Sequence, residues 1–342
     1  MKFDVVIGNP PYQMDRSGTR DKQIYPDFMD SAYDIGDKAI LITPGRFLFN
    51  AGDTSVAWNR KMLDDPYLKV IDYEPKSMNV FDNTDIKGGV TITYRDSADK
   101  GTPIDVFIPH VHLQSIADKV WLIHGDDDDL SKISYSAASY RLSDIMHNEN
   151  PTAFSMLSDG NEYQIVNNIF EKLSDVFHIN VDDESDYVSI LGRSRSEGRI
   201  SRWILGKYID TPNNFDKYKV FLPASNGSGA LGEVLSTPLI GQPLVGHTQT
   251  FMSFGSFDDE VGANALMSYL KSKFARSLLG ILKVTQHNPS KTWRYVPLQD
   301  FTENSDIDWT KSIPEIDQQL YKKYNLSDEE IEFIETHVKE ME

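Results

Sequence analysis

The chain has 342 residues, of which 39% are hydrophobic and 25% charged, the composition of a folded globular protein with room for two domains. It contains no Cys, which excludes disulfides and thiolate metal sites. No apolar run is long enough to span a bilayer, and the N-terminus lacks the pattern of a secretion signal. The composition therefore favours a cytoplasmic protein without a membrane partner.

The charge is strongly acidic but unevenly distributed. The formal net charge is −18, which by itself argues against a nucleic-acid partner. Residues 300–342 carry 13 acidic and 4 basic residues, whereas residues 269–294 carry six basic residues and no acidic one. Residues 191–207 carry five basic residues against one acidic residue. Because local patches decide phosphate binding, the overall sign leaves a DNA partner open.

The first part of the chain alternates apolar strand patterns with helical spacing. Short β-branched runs predict strands at 3–7, 39–43, 67–74 and 88–95, and apolar spacing predicts helices at 25–35 and 56–63. This alternation predicts a parallel sheet with helical crossovers. The last run, GGVTITYR, alternates between apolar and polar residues and predicts an antiparallel strand.

The second part of the chain has a mixed pattern after a turn-rich stretch between residues 96 and 150. A strand is predicted in PIDVFIPHV and another in YKVFLP. Helices are predicted in EYQIVNNIFEKLSDVF and, as one long element, in DDEVGANALMSYLKSKFARSLLGIL. Ser327 and Glu330 form a capping-box pattern that predicts the start of a last helix.

The segment Asn9-Pro10-Pro11-Tyr12 directly follows the first predicted strand. The two prolines fix their φ angles and push the residue before each of them into an extended conformation. The segment is therefore stiff, and it lies at the carboxyl end of a strand, where open α/β sheets bind ligands. It offers the Asn9 amide oxygen, the Pro10 carbonyl and the Tyr12 ring.

Two acceptors and one aromatic ring suit methylation of an amino group on a base. The N6 nitrogen of adenine is a poor nucleophile because its lone pair is delocalised into the ring. Acceptors on its two hydrogens favour a tetrahedral nitrogen and stabilise the positive charge that develops during transfer. A base inside a duplex must be flipped out and stacked on an aromatic side chain before such chemistry. The alternative is a structural Pro-Pro turn with no catalytic role.

The stretch VIGNPPY resembles the catalytic loop of adenine-N6 DNA methyltransferases, especially the gamma-arrangement enzymes of type IIG restriction–modification systems. The resemblance continues in IYPDFMDSAYDIGDKAILITPGRFL, with Tyr25 and Phe28 at aromatic positions, and in NVFDNTDIKGGVTITYR. It implies that Asn9, Pro10, Pro11 and Tyr12 are catalytic and that Phe81 covers the other face of the flipped base. It extends, less specifically, to residues 200–335 as a target-recognition region. The alternative for Phe81 is a core residue ahead of a strand.

The resemblance also implies S-adenosylmethionine as methyl donor. In the gamma arrangement the glycine loop that binds this donor precedes the Asn-Pro-Pro-Tyr loop, but only eight residues precede Asn9. The spacing Gly227-x-Gly229-x-x-Gly232 is a downstream candidate. Pro238 interrupts the following segment, and no acidic residue stands at the distance that the dinucleotide fingerprint requires. We therefore expect the chain to lack a complete donor site, which a partner chain would supply.

The two basic stretches are candidates for DNA binding, interleaved with Trp203, Tyr208 and Phe274. The alternative for each is a solvated face. The candidate residues are Arg193, Arg195, Arg199 and Arg202 in the first stretch and Lys271, Lys273 and Arg276 in the second.

A metal-dependent nuclease is an alternative function for the first part of the chain. Asp64 and Asp65, followed by Glu74-Pro75-Lys76, resemble the carboxylates and lysine of a metal-dependent nuclease. Pro75, however, would interrupt the strand that bears the metal ligands. The acidic run at 126–129 lacks the alternate spacing of a calcium loop, and the His residues show no ligand spacing. We therefore expect no metal site.

These patterns predict an α/β protein with a partial Rossmann-like methyltransferase sheet, followed by a mixed α+β target-recognition region. The expected domains are residues 1–145, the catalytic half, and 146–342, the DNA-binding region. The expected function is base-flipping adenine-N6 methylation of double-stranded DNA in a restriction system, with a second methyltransferase or restriction subunit as partner. The alternatives are a non-catalytic DNA-binding or specificity component and an interaction protein that uses the acidic C-terminal tail.

Overall fold

The computed structural model describes residues 3–14, 22–50, 54–82, 84, 86, 88–125, 128–194, 196–283 and 285–341. The chain divides into two compact units, Met1–Pro109 and His110–Glu342. The structure thus divides the chain ahead of the predicted boundary at residue 145. Residues beyond 110 group with the second unit because Lys119 and Ser115 bond the Glu330 carboxylate near the C-terminus. No helix in the described ranges is both long and apolar enough to cross a bilayer.

The first unit is built on a four-stranded sheet. The strands of the whole unit are β1 Phe3–Gly8, β2 Gln13–Met14, β3 Lys22–Gln23, β4 Gly36–Pro44, β5 Leu68–Glu74 and β6 Val90–Asp96. Its helices are α1 Tyr25–Ile35 and α2 Val56–Leu63, with short 3-10 turns at Gly45–Phe49 and Ser77–Asn79. The sheet order is β1-β4-β6-β5, and β2 and β3 form a separate hairpin.

The pairing of this sheet confirms the predicted parallel crossover and the predicted antiparallel strand. β1 pairs in parallel with β4 through the connection that contains α1. β6 lies between β4 and β5 and is antiparallel to both. The carboxyl ends of β1, β4 and β5 therefore point to the same side of the sheet, which is where β1 runs into Asn9.

One face of this sheet is covered and the other is open. The core on the covered face contains Tyr25 and Met29 of α1, Met62 of α2, and Ala39 and Leu41 of β4. On β1 the side chains of Phe3, Val5 and Ile7 are 52%, 47% and 74% exposed. Because β1 ends the strand order in the described residues, an apolar strand stands at an open edge of the sheet.

The second unit is a mixed α+β structure with several small sheets. Its helices are α3 Val111–His124, α4 Asp144–Glu149, α5 Ala153–Met156, α6 Ile169–Lys172, α7 Glu260–Lys271, α8 Lys273–Leu282, α9 Ile313–Lys323 and α10 Asp328–His337. Its strands are β7 Ser134–Tyr135, β8 Arg141–Leu142, β9 Tyr187–Ser194, β10 Gly198–Leu205, β11 Ile209–Asp210, β12 Tyr218–Pro223, β13 Leu239–Gly241, β14 Val245–His247 and β15 Phe251–Phe257. Its sheets have the orders β10-β9-β14, β13-β12-β15-β7 and β11-β8.

Three element predictions in this part of the chain are wrong. PIDVFIPHV forms no strand in the described structure, and the predicted helix at 162–177 is reduced to the single turn of α6. The predicted long helix is broken at Ser272, whose ψ of 147° is extended and whose side chain caps α8 by accepting from Ala275 N. The strand YKVFLP and the capping box of Ser327 and Glu330 are confirmed.

Candidate active site and DNA-binding surfaces

The segment Asn9–Tyr12 leaves the carboxyl end of β1, as predicted. Asn9 is exposed and Pro10 is half-buried. Across the described residues, neither Asn9 Oδ1 nor Pro10 O accepts a hydrogen bond. With respect to the described residues, both acceptors are therefore free for a donor from outside the protein.

The backbone of Tyr12 is anchored to the start of α1. The Tyr12 carbonyl accepts from Ile24 N at 3.0 Å and from Tyr25 N at 3.4 Å. Beyond Tyr12, β2 pairs with β3 and returns the chain to α1. The end of the Asn9–Tyr12 segment is thus held on one side by a strand and on the other by a hairpin and a helix, which limits its freedom.

Tyr12 and Phe81 lie against each other. Their ring centroids are 6.4 Å apart and their planes are inclined by 63°, an edge-to-face arrangement. The Tyr12 ring also packs at the margin of the core that contains Tyr25 and Met29. Burial raises the pKa of Tyr12 to about 12, so its hydroxyl stays protonated at neutral pH. The structure thus brings together the two aromatic residues that the sequence proposed for base stacking.

The loop that carries Phe81 is organised by Ser77, which sequence reasoning missed. The Ser77 side chain donates to Thr84 O at 2.6 Å and accepts from Ile86 N at 2.8 Å. The Ser77 carbonyl accepts from Phe81 N at 2.8 Å. A single buried hydroxyl therefore bridges the two arms of the loop. A Ser in a polar loop carries no periodic pattern that could have revealed this role.

The other aromatic positions of the resemblance have different surroundings. Tyr25 is buried and packs against Phe47 and Trp58, with ring centroids 6.5 and 5.8 Å away. Phe28 is 45% exposed on α1. Tyr25 is therefore part of the core that supports the Asn9–Tyr12 segment, whereas Phe28 faces solvent.

The glycine loop at 227–232 is filled by a side chain of the protein itself. Gly227, Gly229 and Gly232 have positive φ angles of 61°, 91° and 69°. The Glu233 carboxylate accepts from Ser228 N at 2.8 Å and from Gly229 N at 2.7 Å. Backbone amides in such a loop form an anion-binding nest, but here the anion is internal. The loop therefore does not fit the donor S-adenosylmethionine.

A buried lysine completes the Glu233 cluster. Lys283 Nζ lies 3.0 Å from the Glu233 carboxylate and donates to Asn226 O at 2.8 Å. Burial alone would raise the pKa of Glu233, but the bonds from Ser228 N, Lys283 Nζ and Gly229 N outweigh it and lower the pKa to about 2. The carboxylate is thus ionised at neutral pH and closes the loop.

The arginines of the first basic stretch lie on the β9–β10 hairpin, but on two faces of it. Arg193 and Arg199 stand directly opposite each other in the register. Arg202 is on the other face, with its guanidinium 5.9 Å from the Phe170 ring centroid. Arg195 lies outside the described residues. Arg193 and Arg199 are exposed and remain candidates for contact with DNA.

The second basic stretch is engaged inside the unit. Arg276 is 2% exposed, and its guanidinium donates to Lys271 O at 3.0 Å and to Lys339 O at 2.6 Å. Lys273 pairs with the Glu335 carboxylate, and Lys271 is half-buried. The sequence proposed these residues for contact with DNA, with a solvated face as the alternative, but the Arg276 side chain is buried. Arg276 and Lys273 therefore serve the packing of the C-terminal helices.

The carboxylates of the nuclease alternative form ion pairs with arginines or accept hydrogen bonds from the backbone. Asp64 pairs with Arg60 at 2.7 Å, and Asp65 pairs with Arg95 at 2.7 Å. Glu74 accepts from Lys76 N at 2.8 Å. In the described part of the chain, no three His, Cys, Asp or Glu side chains are grouped so as to hold a metal ion.

The part of the chain that contains this site is similar in sequence to known methylases. Residues 1–81 match the Eco57I restriction-modification methylase family. Over 95 residues the chain is 34% identical to a Mycoplasma pneumoniae protein described as an uncharacterized adenine-specific methylase, covering 26% of this chain and 22% of that protein.

Solved structures of restriction–modification enzymes are similar over most of the chain. The type IIG restriction endonuclease BpuSI is 12% identical, with 93% of this chain and 49% of that chain covered and a TM-score of 0.36. The type IIL restriction-modification enzyme MmeI, solved in complex with DNA, is 10% identical, with 92% and 50% covered and a TM-score of 0.39.

The chain spans about half the length of these two structures and less than a quarter of the curated relative. The family match ends at residue 81 and includes the Asn9–Tyr12 segment, α1, β4 and Phe81. Residues 1–81 of this chain therefore match the Eco57I restriction-modification methylase family.

Proposed function

We propose that this chain is the base-binding and DNA-recognition part of a site-specific adenine-N6 DNA methyltransferase of a restriction system. The observation that carries the proposal is the combination of free acceptors and paired rings at one strand end. Asn9 Oδ1 and Pro10 O have no hydrogen-bond partner among the residues that the structure describes, and Tyr12 and Phe81 lie 6.4 Å apart between ring centroids. The segment falls within the stretch that matches a methylase family.

The acceptors act on the amino group of a flipped adenine. Asn9 Oδ1 and Pro10 O each accept one N6 hydrogen, which draws the nitrogen lone pair out of conjugation with the ring. As the nitrogen forms its new bond to the methyl carbon, the bond between that carbon and the sulfonium sulfur of the donor breaks, and the neutral thioether leaves. The nitrogen becomes tetrahedral and positively charged, and both acceptors then bind more strongly. The methylated nitrogen afterwards loses one proton to solvent. Pro11 contributes stiffness, which keeps the two acceptors in place without a cost in entropy at the moment of reaction.

The two rings hold the base. A flipped base loses its stacking partners in the duplex, and an aromatic surface replaces part of that energy. Tyr12 and Phe81 are packed edge to face without a ligand, so a base that enters between them must turn at least one ring. Phe81 belongs to a loop tied by Ser77, whereas Tyr12 has its backbone anchored at α1. We assign the turning ring to Phe81.

The methyl donor S-adenosylmethionine is proposed to be held by residues that this chain does not supply. The Glu233 carboxylate already occupies amides of the glycine loop at 227–232. The open edge of β1, with exposed Phe3, Val5 and Ile7, is the proposed docking edge for a donor-binding subunit. An apolar edge strand is a ready template for pairing with another strand.

DNA is proposed to lie against the β9–β10 hairpin. Arg193, Arg199 and Arg202 supply positive charge there in a chain of net charge −18. A local basic surface on an acidic protein restricts phosphate contact to that surface.

The test is transfer of a labelled methyl group from S-adenosylmethionine to duplex DNA. The full chain is assayed alone and after co-expression with the product of the neighbouring upstream reading frame. We expect labelled N6-methyladenine in the co-expressed sample. Asn9→Ala should abolish the label while DNA affinity changes less than about twofold, because the lost interaction belongs to the chemical step. Asn180→Ala, an exposed residue of the second unit, is the matched control.

The result also decides between the two candidate functions. The occupied glycine loop favours, as second candidate, a non-catalytic DNA-binding or specificity component of a restriction system. Sequence-specific DNA binding without labelled adenine in either sample would support that component and overturn the enzyme. A wild-type methylation rate in Asn9→Ala would assign Asn9–Tyr12 to a structural turn.

A further inference from the structure

A wide polar cleft opens at the tip of the β9–β10 hairpin in the second unit. Its volume is about 1100 Å³. The hairpin contributes Arg193, Ser194, Ser196 and Gly198 to its lining, and the other lining residues are Asn167, Asn168, Glu171 and Thr250. Sequence reasoning placed only Arg193 in a DNA surface and did not single out the two asparagines or Glu171.

The lining side chains present a mixed set of donors and acceptors. The guanidinium of Arg193 has no acceptor or carboxylate partner within the described residues, and the Asn168 amide has no hydrogen bond there either. Asn167 Oδ1 accepts from Thr250 Oγ1 at 3.2 Å, which leaves its NH2 group directed elsewhere. Glu171 is exposed. An acid inside the cleft opposes a phosphate ligand, since a carboxylate repels a phosphodiester.

Base edges, unlike phosphates, require this mixture. In the major groove guanine offers two acceptors that suit Arg, adenine offers one acceptor and one donor that suit Asn, and cytosine offers a donor that suits Glu. Arg193, Asn168 and Glu171 line the same cleft, and each is the amino-acid partner in one of these three pairings. The composition of the cleft thus matches the chemistry of base pairs better than that of the DNA backbone.

The hairpin has the shape that this contact needs. β9 and β10 pair without interruption from Ser194 opposite Gly198 to Tyr187 opposite Leu205. A two-stranded ribbon fits the major groove, which is about 12 Å wide. The end of β9 carries Arg193 and Ser194, so these two lining residues stand on the element that would enter the groove.

Arg199 holds Arg193 in place rather than competing for the same base. The two arginines are directly opposite in the register, and like charges in that position are destabilising. Arg199 is bound within the unit, because its Nη2 donates to Thr237 O at 2.6 Å and its guanidinium lies 5.9 Å from the Phe251 ring centroid. The repulsion therefore directs Arg193 away from Arg199 and toward the cleft.

We infer that this cleft reads base edges in the major groove of duplex DNA, with Arg193 on a guanine, Asn168 on an adenine and Glu171 on a cytosine. This inference rests on the proposed DNA-methyltransferase function and adds the residues that set its sequence preference. Arg202, on the other face of the hairpin, contacts phosphate and carries no sequence information.

The experiment is selection of bound duplexes from a random-sequence library by the full chain, followed by sequencing. Wild type should enrich one motif. Arg193→Lys, Asn168→Ala and Glu171→Gln should each reduce the preference at one motif position, by about tenfold, with the other positions unchanged. Arg202→Lys is the matched control for Arg193→Lys and should weaken all sequences alike. Thermal melting of each variant verifies that it is folded.

Two results would overturn the inference. One is a motif that none of the three cleft substitutions alters, and the other is an equal loss of affinity for all sequences, which marks a phosphate contact. Failure of the catalytic proposal is seen separately, because Asn9→Ala should lose methyl transfer and keep the wild-type motif. A wild-type chain that enriches no motif would overturn the base-reading cleft even if methyl transfer is observed.

Discussion

The rings of Tyr12 and Phe81 meet edge to face, with centroids 6.4 Å apart and planes inclined by 63°, although the residues belong to segments far apart in the chain. Tyr12 follows β1 and Phe81 follows β5, and both strands end on the same side of the sheet. The contact is therefore a consequence of the sheet topology.

Removal of either ring should weaken capture of a flipped base. Tyr12→Ala and Phe81→Ala should each lower the fluorescence of 2-aminopurine at the target position, because stacking of a base on an aromatic ring contributes about 1–3 kcal/mol. The Phe81 variant should be the milder, since Phe81 lies in a loop bridged by the Ser77 hydroxyl, whereas the backbone of Tyr12 is anchored at α1. Phe28→Ala, an exposed aromatic residue of the same unit, should leave the signal unchanged. Equal signals in all three variants would contradict a role in stacking.

Loss of the Tyr12 hydroxyl alone should be harmless. Tyr12 Oη is buried and has no hydrogen-bond partner in the described structure, and an unsatisfied buried hydroxyl stabilises nothing. Tyr12→Phe should therefore retain base capture and unfold at the wild-type urea midpoint or above it. A clear loss of base capture in Tyr12→Phe would show that the hydroxyl contacts the base or the DNA.

Phosphate contacts should be confined to the hairpin. Arg202→Ala should flatten the dependence of log Kd on log salt by about one unit. Arg276→Ala should leave that slope unchanged, since its guanidinium is buried and bonded to backbone carbonyls. The measurement is fluorescence anisotropy with a labelled duplex over a series of salt concentrations. A slope reduced only by Arg276→Ala would move the DNA surface to α8.

The same Arg276→Ala substitution should instead destabilise the second unit. The guanidinium joins Lys271 O at the end of α7 to Lys339 O after α10. The substitution removes both hydrogen bonds and the packing of the buried Arg276 side chain, so the urea midpoint should fall clearly. Asn180→Ala is the exposed control, and an unchanged midpoint in Arg276→Ala would contradict the structural role.

Glu233 should make stability depend on acid pH. Its pKa of about 2 in the folded state lies below the value of 4.5 for a free Glu. A lowered carboxylate pKa contributes stability above the unfolded value, and this contribution is lost as pH falls from about 4.5 to about 2. Wild type should therefore be more stable than Glu233→Gln at pH 7, with the difference shrinking toward pH 2 in urea unfolding. A difference that is constant with pH would refute the assignment.

The occupied glycine loop also has a consequence for the methyl donor. Because Glu233 accepts from Ser228 N and Gly229 N, calorimetric titration of the isolated chain with S-adenosylmethionine should show no low-micromolar binding. Low-micromolar binding that is lost on Gly229→Val would reinstate the loop as a donor site.

Several local features were determined by the sequence itself. The β-branched run at 3–7 followed by two prolines leads to a strand and then a stiff segment, because these preferences act within a few residues. The same holds for α2, for β12 and for the reciprocal bonds of Ser327 and Glu330. The stretch of residues 1–81 that matches a methylase family was likewise apparent from the Asn9–Tyr12 segment and its flanking elements.

Only the tertiary structure decided which polar groups are free. The spacing of three glycines made the loop at 227–232 a candidate for binding the methyl donor, but the Glu233 carboxylate occupies its amides, and Lys283 at the end of α8 pairs with that carboxylate. The basic stretch made Arg276 a candidate for DNA contact, yet Ser272 breaks the helix and Arg276 bonds carbonyls distant in the chain. Whether a side chain is buried depends on partners far away in sequence, which neither propensity nor spacing encodes. Tertiary packing likewise decides whether the Asn9 acceptor and the Arg193 guanidinium are free, and among the described residues no partner packs against either group.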